Sequence, residues 1–538
     1  MKHLQIFLAF FVLGFLPSSS FGITVPKDQP SFLSDLHGGA ALAWSMHKVG
    51  QFDKSYLAHR DAALKWTLKQ AKDSPRGGRT WVGNPSAPKN FPTYNVIYTP
   101  SANFIALTLL DIYRNTKDPN LLKAVKDHVT WLKNTTVNKK TPYGTLYYWQ
   151  GKHSMDPQQN KRKPWPLISG HGHGLGNVLS TLSEYYAASK DETLVPYMEG
   201  GTRFAYAAST STNDKSSDEK AQKSLVRDKD PANPETEQIH WTWGRAGMSV
   251  IGLCRGNAGC IYALETVQQM QPGMQITQAR KIEDVINAGL RYIIEDGIKN
   301  KDSIIWKNMN GRPGERNMGY GRGVTGIAIV LWRGYEMNLK AGNKEMAERC
   351  RKAADATIRT LLDTIEPLDP NKPLTEHEVG YVVDGSRDNT GKLQETVGIC
   401  SGISGTYMWL FKYADAVRDK DPELAKRCEE ATRIVANRLI NTAVVDKGTY
   451  AWRNHDPKFG AEKMVNMALD HGQTGVVMAL ADIGARLKDE KIMDAAKKAA
   501  DFILMHCVKD ADGLKMPFLV KVDPNAKPIA QKSSNLKK

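Results

Sequence analysis

One short step recurs along the chain: a pair of glycines three residues apart, or a glycine with small residues around it, opening a run of apolar residues. It reads HGGAALAWSM from His37, HGHGLGNVLSTL from His171, CRGNAGCIYAL from Cys254, GRGVTGIAIVLW from Gly321, CSGISGTYMWL from Cys400 and DHGQTGVVMAL from Asp470. The glycines in register are Gly38, Gly174, Gly256, Gly323, Gly402 and Gly472, spaced by 67 to 82 residues after a first step of 136. That first step is double length, and the glycine-free run SANFIALTLLDIY from Ser101 fills its middle, so the chain holds seven units. Sequence self-similarity at a fixed period constrains a fold more than composition does, because each repeat must bury its apolar face against its neighbours.

Each apolar run is followed, after a short turn, by a charged segment with a single apolar stripe, as in DPNLLKAVKDHVTWLKN from Asp118 or DPELAKRCEEATRIVANRLI from Asp421. A helix apolar over most of its circumference must be buried, whereas one with a single stripe shows its other face to water. Seven such hairpins in series predict an all-α fold, an α/α toroid in which an inner ring of helices is wrapped by an outer ring. Between units lie aromatic segments containing Trp81, Trp149, Trp241, Trp306 and Trp452, read as short strands or loops on one rim. Packing is their simplest role, and stacking on a ligand the alternative. Residues 209–238 are polar and without periodicity, which marks a surface insertion.

The chain begins MKHLQIFLAFFVLGFLPSSSFG, a basic start, an apolar run and then small residues, the order of a secretory signal over residues 1–22. The run is too short for a membrane span, which needs roughly 20 apolar residues. The expectation is a secreted or periplasmic protein with a single toroid domain over 23–510 and a tail over 511–538. Net charge is +16, but the lysines are scattered among acidic helix faces, which argues against nucleic acid as a partner. Six cysteines in a chain of 538 residues do not form a disulfide framework, although one bridged pair in an oxidising compartment stays open. Cys350, Cys428 and Cys507 fall in helical patterns and read as small buried hydrophobes.

The glycine step leaves the N–H groups of a helix's first turn uncovered at the ring's mouth, where an anion or thiolate is stabilised. Residues just before the glycines converge there: His37, His173, Cys254 with Arg255, Arg322, Cys400 with Ser401, and Asp470 with His471. Cys400 and Cys254 are placed either as metal ligands or reactive thiolates, or as fillers of the gap that glycine leaves. Thiolate and imidazole together are zinc donors, which makes Cys400, His471, Asp470 and Cys254 the candidate metal set and Zn2+ the candidate cofactor. His173 and His37 are candidate acid/base groups, since neutral imidazole suits proton transfer near pH 7. Arg322 is placed to receive a carboxylate or to make an inter-unit salt bridge, and Glu315 in GRPGERNMGYGRG is a candidate carboxylate.

At these residues the chain resembles the lanthionine synthetase C-like family over nearly the whole stretch after residue 22. The resemblance implies a seven-unit toroid. It also implies a zinc held by one cysteine in C-x-G and by an adjacent cysteine and histidine in C-H-G, activating a peptide thiol for addition to a dehydrated serine or threonine. Cys400 and Cys254 both satisfy C-x-G, while Ser401 stands where C-H-G would put histidine, and His471 is preceded by aspartate. Two other readings stay open. One is a secreted carbohydrate-active toroid, a lyase or hydrolase acting on acidic glycans through the rim tryptophans, Arg322, His173 and Glu315. The other is a toroid that binds a peptide or glycan in its mouth without turnover.

Overall fold

The structure is a computed structural model that describes residues 35–81, 93–94, 102–141, 144–149, 153–154, 174–211, 236–243, 248–254, 256–306, 319–321, 323–365, 384–387, 393–394, 397–400, 402–453, 464–469, 472–517, 519–523, 526 and 529. Seven of its helices carry the apolar runs: α1 (Asp35–Val49), α3 (Ala102–Thr116), α5 (Leu175–Ser189), α7 (Asn257–Met270), α9 (Val324–Lys340), α11 (Ile403–Val417) and α13 (Gln473–Leu487). Seven follow them in the charged segments: α2 (Leu57–Lys69), α4 (Pro119–Asn134), α6 (Val195–Ala207), α8 (Ile282–Asp296), α10 (Lys344–Ile365), α12 (Pro422–Thr442) and α14 (Glu490–His506). Each odd-numbered helix packs on the next, and α13 returns to α1, so the inner ring closes. The even-numbered helices each lie against their own partner on the outside. The fold is therefore the expected α/α toroid.

The inner-to-outer turn has one repeated chemistry. Lys117, Lys190 and Lys488 end α3, α5 and α13 with left-handed φ of 56°, 58° and 51°. The aspartate that follows caps the next helical turn: Asp118 accepts from the amide of Asn120 at 2.9 Å, Asp191 from Thr193 at 3.1 Å and Asp489 from Ile492 at 3.2 Å. Side-chain oxygens there satisfy amides that have no helical partner.

At the opposite rim the outer helices run into two-stranded antiparallel ribbons, and every sheet among the described residues has two strands. The five rim tryptophans are buried, and each donates its indole N–H to a carbonyl at or near the end of an outer helix. The bonds run from Trp81 to Thr67 (2.8 Å), Trp149 to Leu132 (2.9 Å), Trp241 to Ala205 (2.7 Å), Trp306 to Ile293 (2.8 Å) and Trp452 to Leu439 (2.8 Å). They are pins that fix the ribbons, which decides for the packing reading of these residues over ligand stacking. From the inner ring, Asn257 Oδ1 accepts from the Trp241 amide at 2.6 Å and Gln473 Oε1 from the Trp452 amide at 3.2 Å, tying rim to helix start.

The C-terminal residues add to the packing beside the closure of α13 on α1. The hairpin Val508–Asp510 with Gly513–Lys515 packs on α2, where Lys65 Nζ donates to the Ala511 carbonyl at 2.9 Å. Gly513, at φ 129°, lies so close to Trp66 that a Cβ would meet its amide nitrogen at 2.9 Å. The chain past 510, read from the sequence as a tail, thus begins as part of the ring. Cys350 and Cys428 are buried within α10 and α12, as expected. Cys507 is half-buried just past the end of α14, and burial pushes its thiol up to about 12. All six cysteines stand as thiols. No described helix is long and apolar enough to cross a membrane. The signal-like residues 1–22 and most of the 209–238 insertion lie outside the described residues.

Candidate functional site

The structure supplies the reason for the doubled glycine. In each of three units the chain before an inner helix doubles back over that helix's first turn. The second glycine lies against a carbonyl of its own loop. A Cβ on Gly326, Gly405 or Gly475 would overlap the carbonyl oxygen of Tyr320, Ile399 or Leu469 respectively. No residue but glycine fits under these loops without displacing them.

The loops are joined to one another around the mouth by backbone hydrogen bonds. Cys254 donates its amide to the Gly321 carbonyl (2.6 Å), Gly321 donates to the Cys400 carbonyl (2.6 Å), and Ile399 donates to the Leu469 carbonyl (3.3 Å). Four successive units are linked in this way. Gly321 is flanked by the two mouth cysteines: a Cβ built on it would meet Cys400 Sγ at 2.6 Å and Cys254 Cβ at 3.6 Å. Both thiols are buried, and Tyr320, also buried, directly precedes Gly321 in the chain. Burial raises the Tyr320 hydroxyl well above the ordinary phenol range. The sequence therefore named two side chains that the fold brings together, although they lie two units apart.

The other candidates fall elsewhere. His173, Arg322, Glu315, Asp470 and His471 lie outside the described residues, as do Arg255 and Ser401, and the side chain of His37 does too. Asp470 and His471 directly follow Leu469, whose carbonyl is bonded to the step before Cys400. Among the described residues no group of three His, Cys, Asp or Glu side chains is arranged to hold a metal ion.

A second polar feature escaped the sequence reading. Ten residues after the helix-opening position, about 15 Å down each inner helix, the buried face changes from apolar to charged. The residues at that offset are Lys48, Asp111, Glu184, Arg333, Lys412 and Asp482, with Glu265 one residue earlier in its unit. Lys48 lies 3.9 Å from Asp111 and 3.6 Å from Asp482, spanning the closure between α13, α1 and α3. Trp44 donates to Asp111 at 2.7 Å, and Arg114 pairs with Glu184. Arg333 sits 3.1 Å from Glu265 and 3.9 Å from the centre of the Tyr262 ring.

Charges from non-adjacent helices also meet. Arg333 on α9 opposes the upward shift that burial gives Glu184 on α5, and Asp111 on α3 opposes the downward shift that burial gives Lys412 on α11. Burial pushes Glu265 up to about 8, more than Arg333 pulls it back, and lowers Lys412 to about 8. Burial likewise raises Asp111 against the opposing pull of Lys48. The signal was present as one charge nine or ten residues after the helix-opening position of each apolar run. It is visible only once the units are aligned on their glycines.

A family model described as lanthionine synthetase C-like protein matches residues 175–356. That segment contains Cys254, Glu315 and Arg322, and leaves Cys400, Asp470 and His471 beyond its end, so the match is narrower than the whole-chain resemblance read from the repeats. No curated protein matches the chain. Two solved structures are similar in outline. One is a cellobiose 2-epimerase from Bacillus thermoamylovorans B4167, at 13% identity, covering 76% of this chain and 93% of that one, with a TM-score of 0.39. The other is an unsaturated glucuronyl hydrolase from Bacillus sp. GL1, described as responsible for the degradation of glycosaminoglycan, at 13% identity, 85% and 97% coverage and a TM-score of 0.38. Likenesses this remote carry no argument about activity or site.

Proposed function

We propose that the protein is exported and works at the mouth of its toroid as a zinc-dependent enzyme of the lanthionine synthetase C-like type. The observation behind this reading is the convergence of Cys254 and Cys400 on Gly321, where no side chain stands between them. Two thiols on backbone steps tied to each other by 2.6 Å hydrogen bonds are a pre-ordered pair of soft donors, which suits zinc. Cys254 and Cys400 would hold the ion, with His471 or Asp470 from the next unit completing the set. Bound zinc would supply a lowered pKa for a coordinated thiol or water. The chain's own part is then to fix the donors, to move a proton at His173 or His37, and to receive a ligand carboxylate at Arg322, with Glu315 as a further carboxylate. The ligand would be a peptide.

One observation favours a second reading. The Cys400 sulfur fills the space that a side chain at position 321 would take, as a thiol does when it serves only as packing. In that case the mouth is metal-free and the protein is a carbohydrate-active toroid acting on acidic glycans, or a binding protein.

Elemental analysis separates the two. The test uses the chain from Ile23 onward, purified with zinc supplied, beside Cys400→Ala and Cys254→Ala variants. About one zinc per chain, lost in both variants, supports the first reading. A folded, metal-replete protein that holds no zinc overturns it, and acidic uronate polysaccharides become the substrates to try.

A further inference from the structure

Charge is not spread evenly over the outer ring. α4 carries Lys123, Lys126 and Lys133 against a single carboxylate, Asp127. α14 balances Lys491, Lys497 and Lys498 with Glu490, Asp494 and Asp501, and α8 sets Arg291 alone against Glu283, Asp284, Glu295 and Asp296. The ribbons before and after α4 add cations of the same sign. The first holds Lys72, Arg76 and Arg79 with Asp73 as its acid, and the second holds Lys139 and Lys140, both exposed. Along the chain these residues look scattered.

The fold gathers them. The turn of the first ribbon is seated on α4: a Cβ on Gly78 would lie 2.5 Å from the Trp131 amide nitrogen and 2.7 Å from the Asp127 carbonyl oxygen, and Asn134 Nδ2 donates to the Arg76 carbonyl at 2.8 Å. Arg76 therefore stands at the C-terminal end of α4, from which the chain passes directly into the strand of Lys139 and Lys140. On the helix itself Lys123, Lys126 and Lys133 follow one another at steps of three and seven, which puts them on one face. An open depression flanks α4 on each side. Arg79, Asn120 and Lys123 line the one toward α2, and Lys123, Lys126 and Ser189 line the one toward α5. The result is a cationic stripe along the 16 residues of α4, about 24 Å at the helical rise, continued by the exposed lysines of the second ribbon.

We propose that this stripe is a docking surface for an acidic polysaccharide, laid along α4 from Lys139 and Lys140 to the depressions at Lys123. Carboxylates among the cations select that class of polyanion. Asp127 lies 2.9 Å from Lys123, and Asp73 lies 3.7 Å from Arg79. Duplex nucleic acid carries one charge per roughly 1.7 Å of its axis, and carboxylates set into the stripe repel charge at that density. An acidic polysaccharide spaces its anionic groups by sugar rings and offers hydroxyls between them, which can donate to Asp127 and Asp73 while its carboxylates meet the lysines. A membrane surface is flat, whereas the cations here line depressions on both sides of a helix. The stripe is on the outer ring, does not involve the thiol pair, and stands whether or not the mouth holds zinc.

The test measures fluorescence anisotropy of fluorescein-labelled polygalacturonate oligomers at about 10 mM and about 150 mM salt, between which the screening length falls from about 30 Å to about 8 Å. Three proteins are compared: the natural chain, a K126E/K139E/K140E variant, and a K299E/K340E/K344E variant with the same change in net charge at exposed lysines elsewhere. The natural chain should bind at low salt and weaken as salt rises. The α4 variant should bind at least about tenfold more weakly, and the control variant within about threefold of the natural chain. Should the α4 variant fail to fold by circular dichroism, K139E/K140E carries the comparison. No binding by the natural chain at low salt, or an equal loss in both variants, overturns the proposal. Displacement of the labelled glycan by a single-stranded oligonucleotide or by phosphatidylserine vesicles as readily as by unlabelled polygalacturonate also overturns it. The Cys400→Ala chain should bind the glycan as the natural chain does, so a failed metal reading and a failed docking surface are told apart.

Discussion

Replacing Gly405 by alanine tests whether the doubled glycine exists to let the mouth loop lie on the helix. In α11 a Cβ at 405 would overlap the carbonyl oxygen of Ile399, lie 2.8 Å from its carbonyl carbon and 2.9 Å from Tyr320 Cβ. None of these is the flexible end of a side chain, so the loop bearing Cys400 must move away. Moving it strains the bonds from Ile399 to Leu469 and from Gly321 to Cys400. Overpacking costs about 1–3 kcal/mol. Each weakened hydrogen bond adds about 1 kcal/mol. The better helix propensity of alanine returns about 1 kcal/mol. The expected net loss is about 3 kcal/mol. The control is Gly342→Ala: φ there is 76° and nothing lies within 4 Å of the added carbon, so only backbone strain of about 1–2 kcal/mol is expected. Urea unfolding followed by circular dichroism measures both. If Gly405→Ala is no more destabilised than Gly342→Ala, the close-approach explanation of the repeat is wrong.

The interior charges give two pH predictions of opposite sign. Glu265 is pushed up to about 8 from an ordinary value of 4.5, so the folded state holds a proton that the unfolded chain has lost, and stability falls as pH rises between those values. Glu265→Gln should therefore gain on the natural protein across that window and level off above pH 8, in thermal melts taken at stepped pH; parallel curves would refute the shift. Lys412, lowered to about 8 from 10.5, is buried as a cation below pH 8, so Lys412→Met should stabilise at pH 7 and lose that advantage between pH 8 and 10.5. Trp306→Phe removes the 2.8 Å bond to the Ile293 carbonyl at the end of α8 and should lower stability by about 1–3 kcal/mol. Hydrogen exchange should then speed up in Ile298–Asn300 and Ser303–Ile305 while the inner helices stay protected; a change spread evenly over the ring would contradict a local pin.

The toroid was legible because its determinants are local and repeated. Six glycines from Gly38 to Gly472 and the glycine-free run from Ser101 mark seven helix starts, the apolar runs exceed what one amphipathic face can bury, and Lys117-Asp118, Lys190-Asp191 and Lys488-Asp489 encode the turn between helices. A chain carrying that information seven times has one economical way to bury it. Cys254 and Cys400 could be singled out by register alone, but nothing in the sequence says that Gly321 lies between them, because that neighbourhood arises from three loops meeting across units. The charges of Lys48, Glu265, Arg333 and Asp482 were hidden for a related reason. Each looks like an isolated polar residue in an apolar helix, and its partners are supplied by helices many tens of residues away. The C-terminal strand was not legible because three residues of modest alternation carry little signal, and its pairing with Met464–Asn466 is with a segment more than fifty residues away in the chain. Local periodicity thus determined the architecture, and closure of the ring decided which side chains became neighbours, since contact across a ring depends on geometry that no single unit contains.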